Sequence, residues 1–222
     1  MNSFHLKILA CITMFLDHFA RLFQPVLYPL IYIGRLAFPI FAFQASIGFS
    51  HTKNIKKYIF RLFLFAIISQ IPFALYINNN SLNVIFTILF GIISIYLYEK
   101  LVKRNLYPLA FLIVAFIGFL AQFLETDYGC YGVFIIFLFH LTKNNKILTT
   151  LSFFILTTMF YVNELIIYGF SNITILKLIF ALSAIIPILL YNNKQGKKVK
   201  YIIYIFYPLH LFILYLAKTL FF

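Results

Sequence analysis

The sequence predicts an all-α fold, a polytopic transmembrane helical bundle of about nine spans in an N-in arrangement. Three observations predict it. Of 222 residues, 64% are hydrophobic and only 10% charged, a balance that soluble domains of this length do not keep. Apolar stretches close to the ~20 residues needed to cross the hydrocarbon layer recur between short polar breaks. The basic residues gather in alternate breaks. The same composition excludes disordered and fibrous classes. With 30 Phe, 16 Tyr and no Trp, any interfacial aromatic belt is built from Tyr, while Phe fills packing and lipid-facing positions.

Taken in order, the spans are 6–28, 31–50, 58–77, 82–99, 106–124, 129–142, 147–167, 172–192 and 201–221. No small-x-small cleavage site follows the first, and its apolar run exceeds the ~7–15 residues of a signal-peptide core, so it is retained as helix one. The second opens with Gly34-Arg35-Leu36-Ala37-Phe38-Pro39, and a kink is expected at Pro39. The break before the third holds Lys53, Lys56 and Lys57, with Arg61 one turn on. Asn78-Asn79-Asn80-Ser81 precedes the fourth. Lys100, Lys103 and Arg104 form the charged turn before the fifth, and Glu125-Thr126-Asp127 precedes the short sixth. These two features leave counts of eight or ten open. Lys143 and Lys146 introduce the seventh, Glu164 lies near its end, and Lys194, Lys197, Lys198 and Lys200 precede the ninth.

With Lys7, the breaks on the amino-terminal side carry fourteen of the eighteen basic residues. The other half keeps only Arg21, Arg35, Lys177 and Lys218. This positive-inside pattern places the chain in the inner (cytoplasmic) membrane as a multi-pass protein, amino terminus cytoplasmic and carboxyl terminus outside. The formal charge of +13 is therefore a topology signal first, membrane lipids are expected partners, and nucleic acid is not. Cys11 and Cys130 sit in apolar surroundings without CxxC or Cys/His spacing, so neither a disulfide framework nor a bound metal is expected. No internal repeat, linker or soluble segment interrupts residues 1–222, which are read as a single integral membrane domain.

Ionisable groups inside a span cost several kcal/mol unless paired or hydrated, which makes them the default functional candidates. Asp17 and His18 lie about 17 Å into helix one by its rise. Arg21 follows Asp17 by four positions and offers a helical ion pair. The carboxylate of Asp17 is expected to fix the tautomer of His18, as a general base requires. Lys7 precedes His18 by eleven residues, which returns to the same face within about 20° and ~16 Å away. A cation at the mouth and an imidazole in mid-membrane suit a long ligand with phosphates at one end and a reactive group at the other. The plainer alternative is a packing histidine with Lys7 as a topology anchor. Arg35 reads as a ligand for an acidic group or for Asp17, or as a snorkelling arginine. Ser69-Gln70 and His210 fall at depths similar to His18, so three spans are expected to converge on one polar chamber. His51, Lys53 and Arg61 read either as a phosphate-binding rim or as lipid and topology charges. Asp127 reads as an acceptor-site residue or an N-cap, with Tyr128 beside it and Asn83 at the start of the fourth span.

In Leu6-Lys7-Ile8 through Asp17-His18, Ile33-Gly34-Arg35-Leu36-Ala37-Phe38-Pro39-Ile40-Phe41-Ala42-Phe43, His51-Thr52-Lys53, Asn83-Val84-Ile85-Phe86-Thr87, Asp127-Tyr128-Gly129 and Tyr207-Pro208-Leu209-His210, the chain resembles the TraX family of membrane proteins, whose type member is associated with N-terminal acetylation of conjugative pilin. Lys7 and His18 also resemble the basic-residue and histidine signature of family-3 membrane acyltransferases, and the second helix is similar to that of the lysosomal heparan acetyltransferase. The resemblance implies a membrane-embedded acyltransferase. It would move an acetyl or other acyl group from acetyl-CoA or another acyl-CoA, used as co-substrate, to an amine or hydroxyl acceptor: a peptide, glycan or small molecule, or a protein N-terminus such as pilin. By that resemblance His18 is catalytic and Lys7 helps hold the coenzyme; the reading of the residues adds Asp17 to the catalytic pair and Arg35, His51, Lys53 and Arg61 to the coenzyme site. Asn83, Asp127, Tyr128 and His210 would line the acceptor path. Lys7 stands where the wider group often has Arg, so attraction by a point charge replaces bidentate phosphate recognition. The competing readings are a proton-coupled small-solute transporter, with Asp17, His18, Arg35 and His210 as its relay, and an inactive assembly scaffold. A homodimer through Phe-rich faces is also open.

Overall fold

The computed structural model describes residues 1–23, 26–197 and 200–221; Lys198, one of the expected topology charges, lies outside the described residues. These residues form eleven α-helices: α1 (Ser3–Leu22), α2 (Tyr28–Gly34), α3 (Ala37–His51), α4 (Ile55–Ile77), α5 (Val84–Val102), α6 (Tyr107–Phe123), α7 (Gly129–Thr142), α8 (Lys146–Tyr168), α9 (Asn172–Ser183), α10 (Ile185–Leu189) and α11 (Lys200–Phe221). There is no strand among the described residues, only an isolated bridge between Leu82 and Thr126. Five stretches are long and apolar enough to cross a membrane: Tyr28–His51, Ile55–Ile77, Val84–Val102, Lys146–Ile167 and Asn172–Leu189.

Eleven helices correspond to nine expected spans because two spans are broken, and both breaks have the same cause. Pro39 has no N–H for the carbonyl of Arg35, and Pro187 has none for that of Ser183. The helix ends at or just before the carbonyl left without a donor: α2 stops at Gly34, α9 at Ser183. The expected bend at Pro39 is thus displaced upstream, and the proline sits in the first turn of α3, where donors lack helical partners anyway. Pro72 and Pro208 remain inside α4 and α11.

Burial patterns show which faces meet the interior. On α8, Thr149, Phe153, Thr157 and Tyr161 are buried, a four-residue repeat that makes one stripe along a helix. Ile147, Leu151, Ile155 and Met159 point out. On α4, Tyr58, Leu62, Ala66, Ser69, Phe73 and Tyr76 face in, and Phe60, Phe63, Ile67 and Ile71 face out. Every one of these outward residues is apolar, while Ser69, Thr149 and Thr157 are kept on the inward faces, the arrangement a helix adopts against lipid. The centre is α7, packed by α3, α5, α6 and α8. It is only 14 residues long, with nine of them buried. Helix α1 lies against α2, α3 and α11. Its start is capped by Asn2 and stitched to the 190–196 segment through Ser3 N to Lys194 O, 2.8 Å, and Asn192 N to Met1 O, 2.9 Å.

Candidate functional site

The inner faces of α1, α2, α3, α4 and α11, with the 79–84 and 124–128 segments, border a polar chamber of about 190 Å³, lined by Asp17, His18, Arg21, Arg35, Asp127 and Tyr128 among others. Asp17 is buried and holds two cations. Arg21, one turn on, donates from Nε and Nη2 at 3.2 and 3.1 Å to Oδ2, and Arg35 donates from Nη2 to Oδ1. Arg35 also reaches the carbonyl of Ile31 at 3.3 Å. A buried carboxylate is tolerated on such terms, and removal of one partner would strand a charge. Gly34 makes the approach possible, because a Cβ there would run into the Cβ of Asp17 and lie 2.9 Å from its Cγ.

The sequence expectation that Asp17 orients His18 does not hold. Adjacent residues on a helix point about 100° apart, and the Asp17 carboxylate is taken up by the arginines. His18 Nδ1 instead lies 2.8 Å from Nε2 of His210 on α11, and His210 Nδ1 lies 2.8 Å from the carbonyl of Phe206. A carbonyl only accepts, so His210 carries its proton on Nδ1 and presents a lone pair at Nε2. His18 therefore donates from Nδ1. Its Nε2 keeps the lone pair of the neutral ring. Phe206 stacks on His210 with centroids 4.8 Å apart, and the Tyr76 hydroxyl donates to the His18 carbonyl, so both rings and the intervening backbone are held.

The turn that carries Asp127 is fixed by its neighbours. Leu82 N donates to Glu125 O at 3.1 Å, Asp127 N donates to Leu82 O at 2.8 Å, and the Thr87 hydroxyl donates to Asp127 O. Tyr128 has φ 70° and stacks on Phe38 at 3.8 Å, contacts that hold a conformation a bulky residue seldom adopts. Burial pushes the Asp127 carboxyl up to about 6, with Arg35 pulling the other way. It therefore takes up a proton where ordinary carboxylates are ionised.

A second cavity, about 220 Å³, is lined by Lys7, Gln44, Gly48, Thr52, Tyr58 and Arg61 along with apolar side chains, and by no acidic residue. Met14, Phe41, Val84 and Tyr207 line both cavities, so the two abut across these four side chains. Lys7 and His18 thus stand one in each of two adjoining spaces. The Arg61 guanidinium lies 5.4 Å from the Tyr58 ring and 5.5 Å from that of Tyr204, and its Nε has no hydrogen-bond partner.

The residues proposed from sequence are therefore divided. Asp17, His18, Arg35, Asp127 and Tyr128 share the chamber, and His210 stands behind His18. Lys7 and Arg61 share the adjoining cavity, so Arg35 is separated from them. Lys53 lies with Lys100, Lys103 and Lys143 around a third cavity of about 530 Å³, which meets the second at Thr52. His51 is exposed at the end of α3, hydrogen-bonded to its own helix at the Ile47 carbonyl, 2.9 Å, and lines none of the three. Asn83 is fully buried away from the chamber. It caps α5 through Ile85 N and donates to Ala66 O and Gln70 Oε1, both 2.8 Å. Gln70 is spent on that tie and on Ser81 O, 2.8 Å, so α4 contributes Tyr76 to the His18 neighbourhood instead. Sequence reasoning passed over Gln44 and Tyr76, and used Tyr207 only within the Tyr207-Pro208-Leu209-His210 stretch. An amide in the apolar run Phe38–Phe49 was a visible signal; Tyr76, one of 16 tyrosines, gave none.

Comparison with known proteins agrees with the motifs. The chain is similar to a probable fimbrial assembly protein, FimC of serogroup H1, from Dichelobacter nodosus, with 28% identity over 98% of this chain and 96% of the relative. No solved structure matches. The family model described as TraX protein matches residues 3–218, the helices that build the chamber included, and the chain belongs to the TraX family.

Proposed function

We propose that the protein is an acyl-CoA-dependent membrane acyltransferase that acetylates or otherwise acylates an amine or hydroxyl. The observation that carries this reading is the adjacency of a cation-rimmed, largely apolar cavity and a chamber holding an imidazole whose free nitrogen is set by a second histidine. Lys7 and Arg61 supply positive charge without a counter-ion in the lining of their cavity, which fits the phosphates of a coenzyme. The partition at Met14, Phe41, Val84 and Tyr207 is where the arm would pass to bring a thioester to His18.

His18 Nε2 removes the acceptor proton as the acceptor nitrogen or oxygen bonds to the acyl carbon. His210 supports the imidazolium that results, through the Nδ1–H to Nε2 bond. The Arg35 guanidinium stabilises charge on the carbonyl oxygen. Collapse breaks the carbon–sulfur bond, and His18 returns its proton to the departing thiolate. Asp127 and Tyr128 sit at the acceptor side. The basic ends of the helices are assigned to the cytoplasm, where the coenzyme is made, and the acceptor enters from outside the inner membrane. The name of the FimC relative favours a protein acceptor handled during fimbrial assembly, such as a pilin N-terminus.

Labelled acetyl-CoA offered to the purified protein with an amine acceptor is expected to yield a labelled product. His18→Ala is expected to abolish it while insertion into the membrane is retained. Turnover in the purified variant would remove His18 from the reaction. Solute flux across vesicles without acyl transfer would favour a transporter.

A further inference from the structure

The third cavity, about 530 Å³, takes no part in the proposed reaction, yet separate pieces of chain bring cations to it. Lys53 comes from the link between α3 and α4, Lys100 from the last turn of α5 with Lys103 as its C-cap, and Lys143 from the C-cap of α7. Lys143 Nζ donates to Ser50 Oγ at 2.8 Å, which holds it at the rim. Lysines that only mark topology gain nothing from being gathered, since like charges repel. The acidic residue of the lining, Glu99, has its Oε1 3.0 Å from Nε2 of His140 and so already meets a donor. Phe49, Ile55 and Tyr96 are partly buried in the same lining. The cavity thus joins a partly aromatic wall to a cationic rim. That combination suits a base and a phosphate together, because aromatic faces stack on bases and lysines attract phosphate as point charges. A lipid headgroup would use the lysines alone.

Thr52 lines both this cavity and the one holding Lys7 and Arg61, so the two are continuous there. Sites for ligands of drug size or larger occupy roughly 300–1,000 Å³. The cavity at Lys7 and Arg61, about 220 Å³, falls short of that, and the added room lies beyond Thr52. We infer that the third cavity is a subsite for the 3′-phosphorylated adenosine end of the acyl donor, with the base against Tyr96 and Phe49 and the ribose phosphate among Lys53, Lys100, Lys103 and Lys143. The diphosphate then falls at Lys7 and Arg61. This rests on the acyltransferase reading and deepens it.

Equilibrium binding to the purified protein in phosphatidylcholine nanodiscs tests it with three probes: acetyl-CoA, its 3′-dephospho analogue, and S-acetyl-4′-phosphopantetheine, which lacks the adenosine. The wild type is expected to prefer acetyl-CoA to the dephospho analogue about tenfold. Lys100→Gln/Lys103→Gln is expected to erase that preference by weakening acetyl-CoA about tenfold, two residues being changed because exposed ion pairs are individually weak, and to leave the other probes unchanged. Lys53→Gln/Lys143→Gln, on other elements, should do the same, and serves if the first pair fails to fold. Tyr96→Leu is expected to weaken both coenzymes and spare the phosphopantetheine. Unchanged acetyl-CoA binding in the lysine variants, or equal weakening of all three probes, overturns the subsite and leaves the acyltransferase reading standing. Lower retention of added phosphatidylglycerol with unchanged acetyl-CoA binding overturns it in favour of a lipid headgroup. Absence of acetyl-CoA binding by the wild type overturns the acyltransferase reading and this inference with it.

Discussion

At the scale of single residues, the proposed chemistry depends on which nitrogen of His18 bears the proton, and the contact with His210 sets it. His210→Ala is expected to lower kcat on the order of 10²-fold with KM for the acyl donor nearly unchanged. His210→Gln, whose amide oxygen can still accept from His18 Nδ1, should recover part of the loss; steady-state kinetics on the three proteins check this. A merely packing role would move both variants together. His18 and Asp17 were recognisable in the sequence because the cost of burying an ionisable group is a local property. His210 was placed at the same depth, but its direct pairing with His18 was not legible, because the two lie 192 residues apart and their contact is set by how α1 packs on α11. Asn83 shows the converse: a polar residue near a span end looked like a ligand and proved to be a cap with all its groups spent.

At the scale of elements, the break between α2 and α3 brings Arg35 onto Asp17, and only a glycine at 34 permits the contact. Gly34→Ala would force its Cβ into the Asp17 side chain. Destabilisation of about 1–3 kcal/mol is expected from overpacking, seen as a lower unfolding midpoint in detergent, with acyl transfer reduced in the folded fraction as well. Helix limits were legible where polar breaks interrupt apolar runs. The two internal breaks were less so, because a proline acts on the carbonyl four residues earlier and its effect appears upstream of the residue that causes it. The stripe on α8 follows a simple four-residue repeat, whereas the broad burial of α7 follows from being surrounded.

At the scale of the whole molecule, the ends of the bundle differ in charge, and the orientation proposed from that difference is open to direct test. Single cysteines placed at Asn54 and Asn79, in a background lacking Cys11 and Cys130, are to be probed with an impermeant thiol reagent on intact cells. Labelling is expected at 79 and, only after the membrane is opened, at 54; the reverse pattern would invert the proposed topology and place the cationic cavity on the wrong side for a cytoplasmic coenzyme. Among the described residues the helices make nine rods once the breaks are joined, the middle of the eight to ten that hydropathy left open. A polar chamber was expected from the shared depth of His18 and His210; the two cavities beside it were not, since each is assembled from residues of several distant helices.

The brevity of α7 carries one more consequence. Fourteen residues rise only about 21 Å, against a hydrocarbon layer near 30 Å. If its lysine-flanked end is level with one surface, the turn bearing Asp127 and Tyr128 stops well short of the other. Non-helical backbone at such depth is tolerated where it borders water or protein. That turn is bordered by Leu82, Thr87 and Phe38, so an acceptor bound for the proposed site would meet protein there rather than oil.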